Sequence, residues 1–124
     1  MPEMVYQQLD VCEMLDILRT SPLVLVGVCD CDIPYMTPMC FQLEMDGLTP
    51  VVHLACEAKG RRLAMLRDNP AACLFFMRAH CTGTDTVLAQ GQASLLPLPG
   101  GMHVAVRVRT LSGRRVFHAP FTWS

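Results

Sequence analysis

Apolar and polar residues alternate along two stretches of this sequence: Met39, Phe41, Leu43 and Met45 against Cys40, Gln42 and Glu44, and Val104, Val106 and Val108 against Ala105, Arg107 and Arg109. A period of two sends successive side chains to opposite faces, so both stretches are expected as strands with one buried face. Leu23 to Cys29 is a β-branched and leucine run, too short for an ordinary helix and closed by the turn-forming Asp30-Cys31-Asp32, which predicts a buried strand. Asp46-Gly47 predicts a hairpin from the first alternating stretch into a strand over Val51 to Ala55. Two more strands are expected over Ala72 to Met77 and Thr86 to Leu96, separated by a turn or loop at Thr82-Gly83-Thr84-Asp85, with Gly91 marking a bulge or a point of close packing. Pro97, Pro99, Gly100 and Gly101 make a tight connection to the second alternating stretch, and a last short strand is expected around Arg115 to His118.

Two segments follow a helical period instead. Before Pro22, the residues Val11, Met14, Leu15 and Leu18 recur at i, i+3, i+4 and i+7, with Glu13, Asp16 and Arg19 on other faces, and Thr20-Ser21-Pro22 ends the pattern. Gly60 to Asn69 carries Leu63 and Leu66 at helical spacing and stops at Asn69-Pro70. A leading helix, about six strands and a short helix between the third and fourth strands describe a mostly β chain. Its antiparallel sheet is expected to roll into a small barrel, which disposes of its edges. With 124 residues the chain is read as one domain over 1–124, since each half alone would be too small for a comfortable core.

Charge argues against several partners. Ten Lys and Arg against 11 Asp and Glu leave a net charge of -1, with no block of one sign to attract a phosphate backbone or an anionic membrane, so no nucleic acid and no membrane partner is expected. The apolar runs Pro22 to Cys29 and Pro70 to Met77 fall far short of the roughly 20 residues that span a bilayer. Hydrophobic residues at 52% and charged residues at 17%, below the roughly 25% of an ordinary domain, exclude disorder and leave more apolar surface than so small a fold hides; a homodimer is the simplest cover. The start of the chain shows no cationic segment leading into an apolar one, and seven cysteines, several in apolar runs, fit a reduced compartment better than a disulfide framework, so a cytoplasmic location is expected. Cys29, Cys40 and Cys73 are expected as core filler. Neither His80-Cys81 nor Cys29-Asp30-Cys31 has the paired spacing of a zinc site, so no metal is expected, and Trp123 is read as a packing residue.

Chemistry concentrates in Val51 to Leu63. There a strand runs into a loop carrying Lys59, Gly60, Arg61 and Arg62 at the start of the short helix, so free backbone N–H groups, the positive end of the helix dipole and three cations converge. That pattern suits a phosphate, whose oxygens match the guanidinium fork, and it equally describes a solvated basic turn. His53, on the strand before it, fits either a hydrogen-bonded structural histidine or a proton donor.

The order Pro34-Tyr35-Met36-Thr37-Pro38-Met39-Cys40-Phe41, Asp46-Gly47, His53-Leu54-Ala55, Gly60-Arg61-Arg62-Leu63 and Leu66-Arg67-Asp68-Asn69-Pro70-Ala71-Ala72-Cys73 resembles the pyridoxamine 5'-phosphate oxidase-like FMN-binding split barrels. Within them it is most similar to the nitroimidazole-resistance subgroup, which has a histidine at the position of His53. The resemblance runs from Leu23 to Gly91, with a weaker echo over Val104 to Arg115. It implies a six-stranded antiparallel split β-barrel with FMN at the interface of a homodimer. It also implies that Thr37, Pro38 and Met39 contact the flavin ring, that His53, Leu54 and Ala55 run beside the cofactor, that Arg61 and Arg62 hold the phosphate, and that Thr86 touches the phosphate or the ribityl end. Such a flavoprotein would pass electrons to a small organic substrate, a nitroaromatic or a pyridoxal-type compound, with His53 as the candidate catalytic residue. Three departures stand beside this. The loop from His53 to Gly60 is long, Arg62 replaces the usual Lys, and Leu98-Pro99-Gly100-Gly101 replaces a helix that forms one wall of the usual pocket. The last of these also suits a flavin- or haem-binding barrel that holds its ligand without turnover.

Overall fold

A computed structural model describes residues 6–30 and 33–117. The elements run β1 (Tyr6–Gln8), α1 (Val11–Thr20), β2 (Val24–Asp30), β3 (Ile33–Met39), β4 (Gln42–Asp46), β5 (Thr49–Cys56), α2 (Arg61–Asp68), β6 (Ala71–His80), β7 (Gly83–Leu98) and β8 (Gly101–Phe117). All strand pairs are antiparallel, in the order β3-β2-β6-β7-β8-β5-β4, with β1 added on β8. Among the described residues β3 and β4 do not pair, so the path stays open between them, and the chain crosses that gap at Cys40-Phe41. This is the mostly β split-barrel architecture expected, with eight strands where six were expected.

The two additional strands have different causes. β1 is only three residues long and takes its form from pairing with Gln8↔Arg114 and its neighbours on β8. β3, where the resemblance implies a strand over Tyr35 to Cys40, contains Pro34 and Pro38; both are tolerated because among the described residues β3 pairs on one side only, with β2. The stretch Met39 to Met45, expected as one strand, therefore breaks at Cys40-Phe41, while the hairpin at Asp46-Gly47 forms as expected, Asp46 pairing with Thr49.

The alternation lies where the sequence puts it. Val104, Val106 and Val108 of β8 face Val52 and Leu54 of β5 and Val87 and Ala89 of β7 inside the barrel, with Phe76, Leu74, Val24 and Val26 closing the core. The stretch expected as two strands, around Val104 and around Arg115, is the single strand β8, because every residue from Leu111 to Phe117 has a partner on β7. β7 likewise begins at Gly83, and the turn before it is only Cys81-Thr82. The strand therefore includes Thr84 and Asp85, which were expected in a loop. His118 and Trp123 lie outside the described residues, as do Cys31 and Asp32.

The β7–β8 ribbon is bent once. Gln90 pairs with Thr110 and Gly91 with Val108, so Arg109 is the extra residue and Gly91 stands opposite the bulge. A methyl group on Gly91 would collide with the Arg107 carbonyl oxygen, a backbone atom that cannot swing away. Gly91→Ala is expected to cost about 1–3 kcal/mol, as overpacking does, read as a lowered thermal midpoint of the purified protein.

α1 covers one end of the barrel. Asp10 caps it by accepting from the Glu13 N–H at 2.8 Å, with Glu13 reaching back to the Asp10 N–H. Met14, Ile17 and Leu18 are its buried face. Val11, expected on that stripe, is 60% exposed, since it opens the helix ahead of the contact with the sheet. Below the helix lies Asp85, whose side chain is 1% exposed. Its oxygens accept from Arg115 Nε at 2.8 Å and Nη2 at 3.2 Å, from Arg78 Nη2 at 3.2 Å, and pair with His80 Nε2 at 3.2 Å. Arg115 and Arg78 reach on to Glu13 and Asp16 of α1, so one buried carboxylate links the helix to three strands. The Arg115 hydrogen bond foremost, then those of Arg78 and His80, holds the Asp85 carboxyl below its usual range against the opposing effect of burial.

Candidate functional site

The β4–β5 hairpin carries a cavity. Register places Gln42 opposite His53 and Glu44 opposite Val51, while on the other side of β5 Ala55 pairs with His103 of β8. Val52 and Leu54 point into the core, so His53 points outward between them. Glu44 and His103 share that outward phase and lie diagonal to His53, close enough for side chains to meet. His53 Nε2 lies 3.2 Å from Glu44 Oε1, and His53 Nδ1 lies 2.8 Å from His103 Nε2. All three line a cavity of about 690 Å³, bounded at one end by Cys40-Phe41 and along β5 by Leu54 and Ala55. Phe41 is held there by an edge-to-face contact with the core residue Phe76, ring centroids 5.3 Å apart.

Of the residues expected beside a flavin, His53, Leu54 and Ala55 therefore share one cavity, and Thr37, Pro38 and Met39 lead into its edge at Cys40. Thr37 and Met39 pair with the buried Val26 and Val24 and face the barrel interior, whereas Pro38 pairs with Leu25 and faces out. Lys59, Gly60, Arg61 and Arg62 are not on this lining. They form the start of α2, where Gly60 takes φ 137°, a conformation closed to most L-residues, and no side chain caps the helix. The first-turn N–H groups of a helix have no partner within it. Arg61 sits with its guanidinium carbon 5.9 Å from the centre of the Tyr35 ring, on the β3 face that also carries Thr37. Arg62 is half-buried, and its Nε is buried with no hydrogen-bond partner among the described residues. A guanidinium N–H buried without an acceptor is costly, and an oxyanion beside it would remove that cost. The residues present thus fit a phosphate-bearing group.

Thr86 lies elsewhere, in a shallow recess of about 230 Å³ with Phe75, Leu88, Ser112 and Arg114 on the outer surface of the sheet. That surface is apolar. The cross-strand row Pro38, Leu25, Phe75, Leu88 runs over four strands opposite the buried row, with Met36 at 60% and Met77 at 50% exposure beside it. β7 and β8 join through Pro99-Gly100 alone, so the wall that the Leu98 to Gly101 segment was expected to omit is absent from the described structure.

Sequence reasoning singled out His53 but not Glu44 and His103, which meet it in the cavity. The available signal was their phase: Glu44 alternates with the inward Leu43 and Met45, and His103 with the inward Met102 and Val104, which sends both outward. Which outward residues meet depends on pairing register.

No family model matches the sequence, and no curated protein matches it. Solved structures match along most of the chain. An FAD-binding protein from Mesorhizobium loti superposes with a TM-score of 0.79 at 16% identity, over 94% of this chain and 100% of that one. A candidate 5-nitroimidazole antibiotic resistance protein from Bacteroides thetaiotaomicron VPI-5482 gives 0.80 at 17%, over 93% and 90%. A candidate pyridoxamine 5'-phosphate oxidase from Listeria innocua gives 0.68 at 17%, over 82% and 94%. The chain has the fold of these proteins, the one that the sequence resemblance implied.

Proposed function

We propose that two copies of this chain bind FMN non-covalently between them and pass electrons to a small organic acceptor. The observation that carries the cofactor is the start of α2, an uncapped helix N-terminus that bears Arg61 and Arg62, the latter with its Nε buried and unpartnered among the described residues. These groups would hold the phosphate, with Lys59 adding charge and Thr37 to Met39 and His53 to Ala55 flanking the ring. The bound flavin would supply the electron transfer. The protein's part is to anchor, to orient and to exclude water.

A second copy is the natural cover for the outward row Pro38, Leu25, Phe75 and Leu88, because a contiguous apolar face is a poor surface to leave in water. Pairing through it would bring Thr86 of one copy toward the site of the other, which suits a cofactor shared between copies. Among acceptors a nitroaromatic is favoured over a pyridoxal-type compound, since the cavity holds His53 as a source of protons. Cys12, Cys40, Cys56, Cys73 and Cys81 form no disulfide among the described residues, which suits the reducing cytoplasm.

The visible absorption spectrum of the purified protein, taken before and after adding FMN and removing the excess, tests this reading. A retained flavin band is expected at one FMN per chain. A folded protein with no band in either sample overturns it in favour of a barrel that holds another ligand without turnover, which the missing pocket wall would suit.

A further inference from the structure

His53 is the expected proton donor, yet both of its ring nitrogens are engaged by other side chains, Nε2 by Glu44 and Nδ1 by His103. The His53 and His103 ring centroids lie 4.9 Å apart with planes inclined by 16°. That separation is nearly the 2.8 Å N···N distance plus the two ring radii, so the imidazoles meet edge to edge and the hydrogen bond runs along the line joining them. For His53 to release a proton into the cavity, one of its two bonds must first break. His103 is under no such constraint: it lines the same cavity, and its Nδ1 has no partner among the described residues.

We infer that Glu44, His53 and His103 form one proton relay whose open end is Nδ1 of His103, so that His103 delivers the proton and His53 is the positioning residue behind it. The acceptor at the end of the relay rests on the flavin reading above; the relay itself does not. A carboxylate only accepts, so Glu44 requires the proton of His53 on Nε2. In the neutral pair Nδ1 of His53 is then an acceptor, and His103 must donate from Nε2, leaving its own Nδ1 bare. One added proton makes His103 Nδ1–H and raises the charge of the pair by one. Delivery breaks that N–H bond, the electron pair stays on nitrogen, and the proton bonds to the reduced acceptor. The pair returns to neutral with both inner hydrogen bonds intact. Glu44 is 62% exposed at its side chain, so its role is to select a tautomer and not to stabilise the fold.

The flavin-free protein labelled with ¹⁵N-histidine tests this by NMR. A scalar coupling between His53 Nδ1 and His103 Nε2 is expected, with both histidines in the Nε2–H tautomer when the pair is neutral. A folded protein without that coupling, or with His103 in the Nδ1–H tautomer, overturns the relay. Glu44→Lys offers Nε2 only a donor, and His53 is expected to shift toward Nδ1–H; an unchanged tautomer overturns the part given to Glu44. At saturating FMN, His103→Gln is expected to slow single-turnover reduction of a nitroaromatic by about 100-fold, the lower end of general-acid effects, and an unchanged rate overturns the assignment of His103. A chain that shows the coupling but takes up no FMN supports the relay and overturns the flavin reading alone.

Discussion

Asp85→Asn is expected to destabilise the protein by about 2–3 kcal/mol at neutral pH, just under the range for unpairing a buried charge, as measured by urea unfolding. The discount reflects the partners. Arg78, His80 and Arg115 keep about a third of their side-chain surface in water and can rehydrate when the carboxylate is lost. Asp85 itself is almost wholly enclosed, and its four contacts to these three side chains tie β6, β7 and β8 together, with α1 joined through Glu13 and Asp16. The pH dependence has a definite sign. The folded-state value of Asp85 is depressed, so its contribution is complete above the ordinary aspartate range and is lost as the pH falls through the lower folded value. The gap between the two proteins should therefore narrow as the pH falls from about 5 to below about 4. A gap that is the same at both ends would mean that packing, and not the charge of Asp85, holds this end of the barrel.

The second large effect belongs to the cofactor. Replacing Arg61 and Arg62 together by alanine is expected to weaken FMN binding by about 100-fold or more. Two charge-assisted hydrogen bonds at roughly 1.5 kcal/mol each account for that factor. Arg62 should carry the larger share in single substitutions, because its Nε is already dehydrated and has no acceptor to give up. Arg61 is exposed and lies at the positive end of the helix dipole, where a cation is mildly unfavourable, so its loss should leave stability nearly unchanged. A fluorescence titration of the flavin against the double variant reads the result. Unchanged affinity in a folded double variant would remove the start of α2 from the binding site.

Much of the barrel was legible because one face of each strand must be buried. The valines of β8, the hairpin at Asp46-Gly47, the short helix after Gly60 and the close approach at Gly91 all follow from local pattern. The failures are equally physical. Prolines exclude a central strand but not an edge strand, so local pattern alone did not show β3, which only the resemblance implied, and its status as an edge is a property of the whole sheet. Asp85 looks like a loop residue until Arg78, His80 and Arg115 surround it. In the site, His53 was visible from its place before the basic loop. Glu44 and His103 were not, since the contact with His103 spans 50 residues of sequence and exists only in one pairing register. Arg61 and Arg62 were picked out by composition and by the resemblance; composition could not show that the Arg62 Nε is buried with no partner among the described residues.

The gap between β3 and β4 gives this barrel an adjustable joint. Every other neighbouring pair in the sheet is locked at hydrogen-bonding distance, so a wider or narrower spacing there would break a ladder. Across the gap the spacing is set by side chains at the Cys40-Phe41 crossing, chiefly by how Phe41 seats on Phe76. The mouth of the cavity can thus be resized by a substitution at a single position without disturbing any strand register. A fold with such a seam can exchange one small-molecule partner for another while its core, and the rows of valine that define it, stay as they are.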